Sequence, residues 1–322
     1  MPHSLAPFRS RTLGRSGVPV TELVLGTAAL GHLYTPVDED QAHATVAAAW
    51  DAGVRAFDTA PHYGLGLAER RLGTALAGRR RDTYVVSTKV GRLLVPGPGG
   101  QEPRRVWDFS ADGIRRSLHE SLTRLGLDRV DIAYLHDPDD HEKQAFAEAY
   151  PALERLRAEG VVRAIGAGMN QSAMLTRFVR DTDIDVVLCA GRHTLLDPDA
   201  RVDLLPAAER HGVAVLVGGV YNSGLLADPR PGATYDYTAA PDALVTRALH
   251  LKEAAERHGT TLRAAALAFS SAPDAVLGLV MGARSPCEVQ DFVRQFRAAR
   301  DVPAAFWREL AERGLLSETG TW

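Results

Sequence analysis

A chain of 322 residues that is 45% hydrophobic is long enough to bury one large α/β core or two modest ones. A formal net charge of -3 offers no basic surface for nucleic acid or an anionic membrane as partner. The two cysteines, Cys189 and Cys287, form no CxxC and no Cys/His ligand spacing, which speaks against a disulfide scaffold, a structural zinc site or any other metal.

The opening MPHSLAPFRSRTLG holds no apolar core of signal-peptide length, and no later apolar run approaches the roughly twenty residues of a membrane span. The expected setting is therefore cytoplasmic. Taken in order, the chain begins with a hairpin pattern in RTLGRSGVPVTEL, then the strand ELVLGTAAL, then a helix from Asp38 whose Gln41 has capping-box spacing. Strand and helix patterns then alternate: VRAFDTA, TYVVSTK, VDIAYLH, VVRAIGAG, DVVLCAG, VAVLVGG and VLGLVMGA are each followed by an amphipathic stretch. Eight such units predict a closed (β/α)8 TIM barrel with an N-terminal β-hairpin. Without a Pro/Gly/Ser-rich linker or a break in composition, residues 1–322 are expected to form a single domain.

The chain is organised around Val54–Ala77, an apolar strand that ends in Asp58, a loop carrying Tyr63, and a helix. TYVVSTK ends in Lys89 and VDIAYLH in His136, so three strand ends and one adjoining loop deliver four titratable groups to the face where barrel enzymes do their chemistry. Each residue alone has a plainer explanation: a cap for Asp58, a rim aromatic for Tyr63, partly solvated structural partners for Lys89 and His136. As an ordered set they point to catalysis. His62 reads as a loop residue beside the site, and the run Arg79 to Arg81 as a solvated turn. Directly after Lys89 comes a long Gly/Pro-rich excursion, GRLLVPGPGGQEPRRVWDF, of the length that forms functional lids or stays disordered. Trp107 and Phe109 at its end either face a substrate or anchor the loop on the rim.

FDTAPHYGLGLAERRLG, STKVG, LHDPDD, GAGMNQ and MGARSPCEVQ, in this order along essentially the whole chain, resemble the aldo-keto reductase family. The resemblance implies hydride transfer between a nicotinamide cofactor and a carbonyl/alcohol pair, with Asp58, Tyr63, Lys89 and His136 as the catalytic tetrad. Such chemistry needs a proton acceptor, and a free tyrosine, with a pKa of about 10, ionises too little at neutral pH unless a neighbouring cation such as Lys89 favours the phenolate. Among cofactor contacts the resemblance implies Gly26 and Thr27, Asn170 for the nicotinamide carboxamide, and Gly218, Gly219, Tyr221, Asn222, Ser223, Gly224 and Leu225 along GGVYNSGLL. In that segment Gly218 stands where many members have an aromatic that stacks on the nicotinamide. A tight glycine turn would account for GGVYNSGLL equally well. Gly282, Arg284, Glu288 and Asp291 complete the implied cofactor set. Glu288 occupies a position where NADPH-preferring members often carry a base, so NAD is expected to be preferred, with NADP possible through Arg284.

More finely, LHDPDDH, AGRHTLLD and GGVYNSGLL resemble family members that oxidise sugars or pyridoxal. The expected reaction is oxidation of the anomeric hydroxyl of an aldose such as L-fucose to the lactone, with Trp107, Phe109 and His62 as substrate contacts. Pyridoxal oxidation and general aldehyde or ketone reduction are the alternatives. From other classes, Lys89 on a strand end also suits a Schiff-base aldolase, and a non-catalytic nucleotide-binding subunit is the remaining option. Nothing in the sequence specifies an oligomeric state.

Overall fold

The computed structural model describes residues 8–316; residues 1–7, part of the opening segment read above for a leader, lie outside them. In chain order the strands are β1 (Ser10–Leu13), β2 (Val18–Thr21), β3 (Leu23–Gly26), β4 (Ala56–Asp58), β5 (Val85–Val90), β6 (Arg92–Val95), β7 (Arg104–Trp107), β8 (Ile132–His136), β9 (Ala164–Met169), β10 (Val186–Ala190), β11 (Ala214–Gly218), β12 (Thr234–Tyr235), β13 (Thr238–Ala239) and β14 (Val276–Gly282). The helices are α1 (Glu39–Asp51), α2 (Leu67–Leu76), α3 (Ala111–Leu125), α4 (Glu142–Gln144), α5 (Tyr150–Ala158), α6 (Ser172–Asp181), α7 (Leu204–His211), α8 (Asp242–Arg257), α9 (Leu262–Ser271), α10 (Pro286–Ala298) and α11 (Ala304–Glu312).

Strands β3, β4, β5, β8, β9, β10, β11 and β14 pair in parallel in that order, and β14 closes onto β3. This is the expected (β/α)8 barrel, with the N-terminal hairpin β1–β2 as expected. Period-two alternation sorts every barrel strand into two faces. Ala56, Val85, Ile132 and Ala164 point inward and share one buried cluster with Leu13, Val18 and Val20, so the hairpin plugs the floor. Phe57, Val86, Ala133 and Ile165 point outward into the larger cluster between sheet and helices. The same alternation, two and four residues further on, turns Asp58, Ser87, Lys89 and His136 inward. The site is thus a continuation of the inner core.

Three local features depart from the expectation. The 91–109 segment is an ordered antiparallel hairpin, β6–β7, with Leu93 buried beneath it. At the start of the fifth helix the chain makes a π turn over Ala145–Ala149, with Tyr150 N–H donating to the Ala145 carbonyl; Pro151 has no N–H to continue the α ladder. The capping box at α1 is half formed. Asp38 Oδ1 accepts from Gln41 N at 2.7 Å, but the Gln41 side chain donates to the Arg284 carbonyl, 2.7 Å away, and so ties α1 to the loop after β14. Helix α11, which packs Phe306 and Leu310 into a third cluster, and the small hairpin β12–β13 were not legible in the sequence.

Candidate active site

Register brings the strand ends together. Asp58 on β4 pairs with Ser87 on β5, and Lys89 with Tyr134 on β8, so the inward residues of neighbouring strands are stacked one above another. Lys89 Nζ donates to Asp58 Oδ2 at 2.6 Å and to the Thr59 carbonyl at 3.1 Å, while Ser87 Oγ donates to Asp58 Oδ1 at 2.7 Å. All three side chains are buried. Gly168 on β9 lies beside the lysine stem: a Cβ there would be in ordinary contact with Lys89 Cε at 3.6 Å. Burial pulls the ammonium toward the neutral form, but Asp58 and Tyr63 together outweigh it and raise the lysine pKa above its ordinary value. An ammonium engaged by both the Asp58 carboxylate and the Thr59 carbonyl is poorly placed to attack a carbonyl as a Schiff-base lysine does.

Tyr63 stands above this pair, with Lys89 Nζ 4.8 Å from its ring centroid. Its phenol is raised above the usual tyrosine range by burial, against an opposing pull from Lys89. The His136 ring meets Tyr63 edge-on, centroids 6.0 Å apart, and its Nδ1 is buried with no hydrogen-bond partner. Burial, then the charges of Arg92 and Lys89, push His136 well below the ordinary histidine pKa. It is therefore a neutral imidazole that offers a hydrogen bond, poorly suited to donating a full proton. His62 lies 5.7 Å from His136, ring to ring, and is pushed down to about 4 by burial and by Arg92.

What aims Tyr63 is a backbone contact. A Cβ on Gly31 would lie 2.6 Å from the Tyr63 carbonyl carbon and 2.8 Å from Gly64 N, and one on Gly64 would lie 2.7 Å from the Gly31 carbonyl oxygen. Neither backbone can yield cheaply. Gly31→Ala is expected to displace the Tyr63 loop, costing about 1–3 kcal/mol in urea unfolding together with a fall in kcat; unchanged kcat would show that this contact does not set the geometry.

The implied cofactor residues fall on the other half of the mouth. Gly26, Gly282 and Gly218 end β3, β14 and β11, three adjacent strands, so the last residue of each of these strands carries no side chain. A side chain at Gly282 would meet nothing within 4 Å, and the buried Asn222 Oδ1 lacks a partner. Strand ends without side chains let a flat nicotinamide ring come close to the backbone. Thr27 is buried and spends both N–H and Oγ1 on the Asp58 carbonyl. Gly219 closes on Gly191, and Asn222 Nδ2 donates to the Gly191 carbonyl at 3.3 Å. Ser223 Oγ accepts from Tyr237 N, Gly224 takes a φ of +102°, and the Leu225 side chain is buried in the core. Tyr221 packs its ring against Phe292, centroids 5.4 Å apart. Arg284 is bound to Glu288 at 2.7 Å and to Thr35 at 3.0 Å, and Asp291 to Arg263 at 2.6 Å.

Phe109 is fully buried and blocks any side chain at Gly91, so it takes the anchoring role. Trp107 is 43% exposed, yet its ring leans on Phe109 and carries the Arg92 guanidinium 4.1 Å above its centroid. Several neighbours were not singled out from sequence. Ser87 and Tyr134 were legible in principle, each lying two residues before a titratable strand end. Arg92 and Asp137, joined by an ion pair at the rim, carried no signal because a hairpin and a residue at φ +41° bring them together. The same holds for Tyr237, at the tip of β12–β13, which stacks on Tyr34 at 6.2 Å and interacts with Asn170.

A closed parallel barrel whose mouth joins a phenol, a carboxylate-held ammonium and a neutral imidazole beside glycine strand ends is the arrangement of an oxidoreductase for CH–OH and carbonyl groups. The aldo-keto reductase family profile matches residues 22–311, and the chain belongs to that family. It is 43% identical over 318 residues to D-threo-aldose 1-dehydrogenase of a Pseudomonas species, covering 94% of this chain and 96% of the relative. It is 37% identical over 343 residues to pyridoxal 4-dehydrogenase of Microbacterium luteolum, covering 97% and 99%. Among solved structures, the holo form of an aldo-keto reductase from Bacillus halodurans superposes with a TM-score of 0.78 at 27% identity, covering 98% of each chain. No helix among the described residues is long and apolar enough to cross a membrane.

Proposed function

We propose that this protein oxidises the anomeric hydroxyl of an aldose to the lactone, with NAD as the preferred cofactor. The observation that carries the reading is Lys89, buried between the Asp58 carboxylate and the Tyr63 phenol. When bound, a nicotinamide cofactor supplies the carbon that accepts hydride. Asn170 would hold its carboxamide, and the glycine strand ends with Gly219, Asn222 and Ser223 would take its phosphates. Tyr63 accepts the hydroxyl proton, Lys89 stabilises the phenolate that receives it, and Asp58 keeps Lys89 charged and in place. His136 donates a hydrogen bond to the reacting oxygen and orients it. The 43% identity to an aldose dehydrogenase supports the substrate class. Assays of dinucleotide reduction with L-fucose, L-galactose, D-arabinose and pyridoxal test it. Turnover of pyridoxal alone would transfer the assignment to pyridoxal oxidation.

The cofactor choice rests on the Arg284–Glu288 pair. Glu288 both neutralises Arg284 and presents a carboxylate, which accepts from a ribose hydroxyl and repels a 2'-phosphate. Glu288→Arg frees Arg284 and adds a second guanidinium. Charge-assisted hydrogen bonds of about 1.5–3 kcal/mol correspond to a shift of roughly 10- to 100-fold in kcat/KM toward NADP. Equal kcat/KM for the two dinucleotides in the unaltered enzyme would refute the preference.

A further inference from the structure

The rim of the mouth beside His136 holds polar groups that the tetrad does not use. Arg92 leaves β6 next to the end of β5, and its guanidinium lies over Trp107 while it pairs with Asp137, the residue following His136. Arg92 is thus nearly buried, yet its Nε has no hydrogen-bond partner. The same is true of His62 Nδ1 and Asp139 Oδ1 close by. What the rim leaves open to the mouth is the remaining exposed part of the Arg92 guanidinium and the Asp137 carboxylate, whose side chains are 13% and 27% exposed. Trp107, expected from the sequence as a substrate contact, carries the Arg92 guanidinium on its ring. What the hairpin presents to the mouth is a cation flanked by a carboxylate.

A guanidinium only donates and a carboxylate only accepts, whereas a hydroxyl does both. Two neighbouring hydroxyls on one face of a ring can therefore take a hydrogen bond from Arg92 and return one to Asp137. We propose that the Arg92–Asp137 pair, held in place by Trp107 and lying beside His136, is the subsite that recognises a vicinal diol of the sugar neighbouring the reacting carbon, and that it sets specificity for polyhydroxylated substrates. This rests on the aldose reading above and extends it to residues outside the tetrad.

The test is a cycle between enzyme and substrate. Arg92→Met keeps an unbranched stem over Trp107, and Asp137→Asn keeps a residue type that tolerates the φ of +41°. Either variant is expected to lower kcat/KM for the parent aldose by about 10- to 100-fold, since a charge-assisted hydrogen bond to the sugar is lost. Monodeoxy aldoses are then assayed with the unaltered enzyme and both variants. For the sugar lacking the recognised hydroxyl, the unaltered enzyme loses a similar factor and the variants lose little more. An ion pair that only pinned the hairpin would slow sugar and deoxy-sugar alike, and losses that simply add for every deoxy-sugar overturn the subsite while leaving the aldose reading standing. Silence of the unaltered enzyme with every aldose overturns the aldose reading and the subsite together.

Discussion

Tyr63→Phe is expected to lower kcat for alcohol oxidation by about 10³- to 10⁴-fold, the upper range for a positioned proton acceptor, without loss of thermal stability. The substitution removes one oxygen and leaves the ring against His136 and above Lys89. The pH profile separates this role from a packing role. Burial holds the phenol above its ordinary pKa, so it is protonated at neutral pH and the accepting form grows as pH rises. Where proton acceptance limits, oxidation in the unaltered enzyme should climb with pH by up to about tenfold per unit, and the residual rate of Tyr63→Phe should lose that slope. His136, driven well below the usual histidine pKa by burial and then by Arg92 and Lys89, should add no inflection between about pH 6 and 8. Activity of Tyr63→Phe within tenfold of the unaltered enzyme would overturn the assignment of the proton acceptor.

The second large effect concerns the pair beneath it. Lys89→Met leaves the Asp58 carboxylate buried with only Ser87 as a hydrogen-bond donor to its side chain, and breaking one side of a buried ion pair costs about 3–5 kcal/mol. Turnover should fall as well, because the phenolate loses its cation. Combining Lys89→Met with Asp58→Leu removes both charges and is expected to regain most of the lost stability, since buried pairs replaced by apolar groups of similar volume are often neutral. Activity should stay at the level of the single variant. The second substitution thus restores stability in urea unfolding while leaving kcat from steady state low. Recovery of both would mean that the pair is purely structural.

The sequence made the barrel legible because two periodicities act on every unit. Alternation at two residues places Asp58, Lys89 and His136 on the inner face, and the length of each apolar run places them at its end. The resemblance of the ordered motifs added the family. Legibility failed where long-range contact outweighs pattern. The 91–109 segment has the composition of a lid or a disordered loop, but pairing of Arg92 with Trp107 and burial of Leu93 make it a hairpin. Gln41 has the spacing of a cap and is drawn instead to a carbonyl 243 positions away.

On its own, then, the chain determined which residues line the barrel, which titratable groups sit at strand ends, and the family whose chemistry those groups suit, because backbone periodicity and local order are properties of a one-dimensional string. Only the tertiary structure decided that Arg92 covers Trp107 and pairs with Asp137, that Tyr221 packs on Phe292, that Tyr237 reaches Asn170, and that Gly31 aims Tyr63. Those are contacts between segments far apart in sequence or set by unusual backbone angles, and their energies depend on close packing and charge in a buried mouth, which no spacing along the chain encodes.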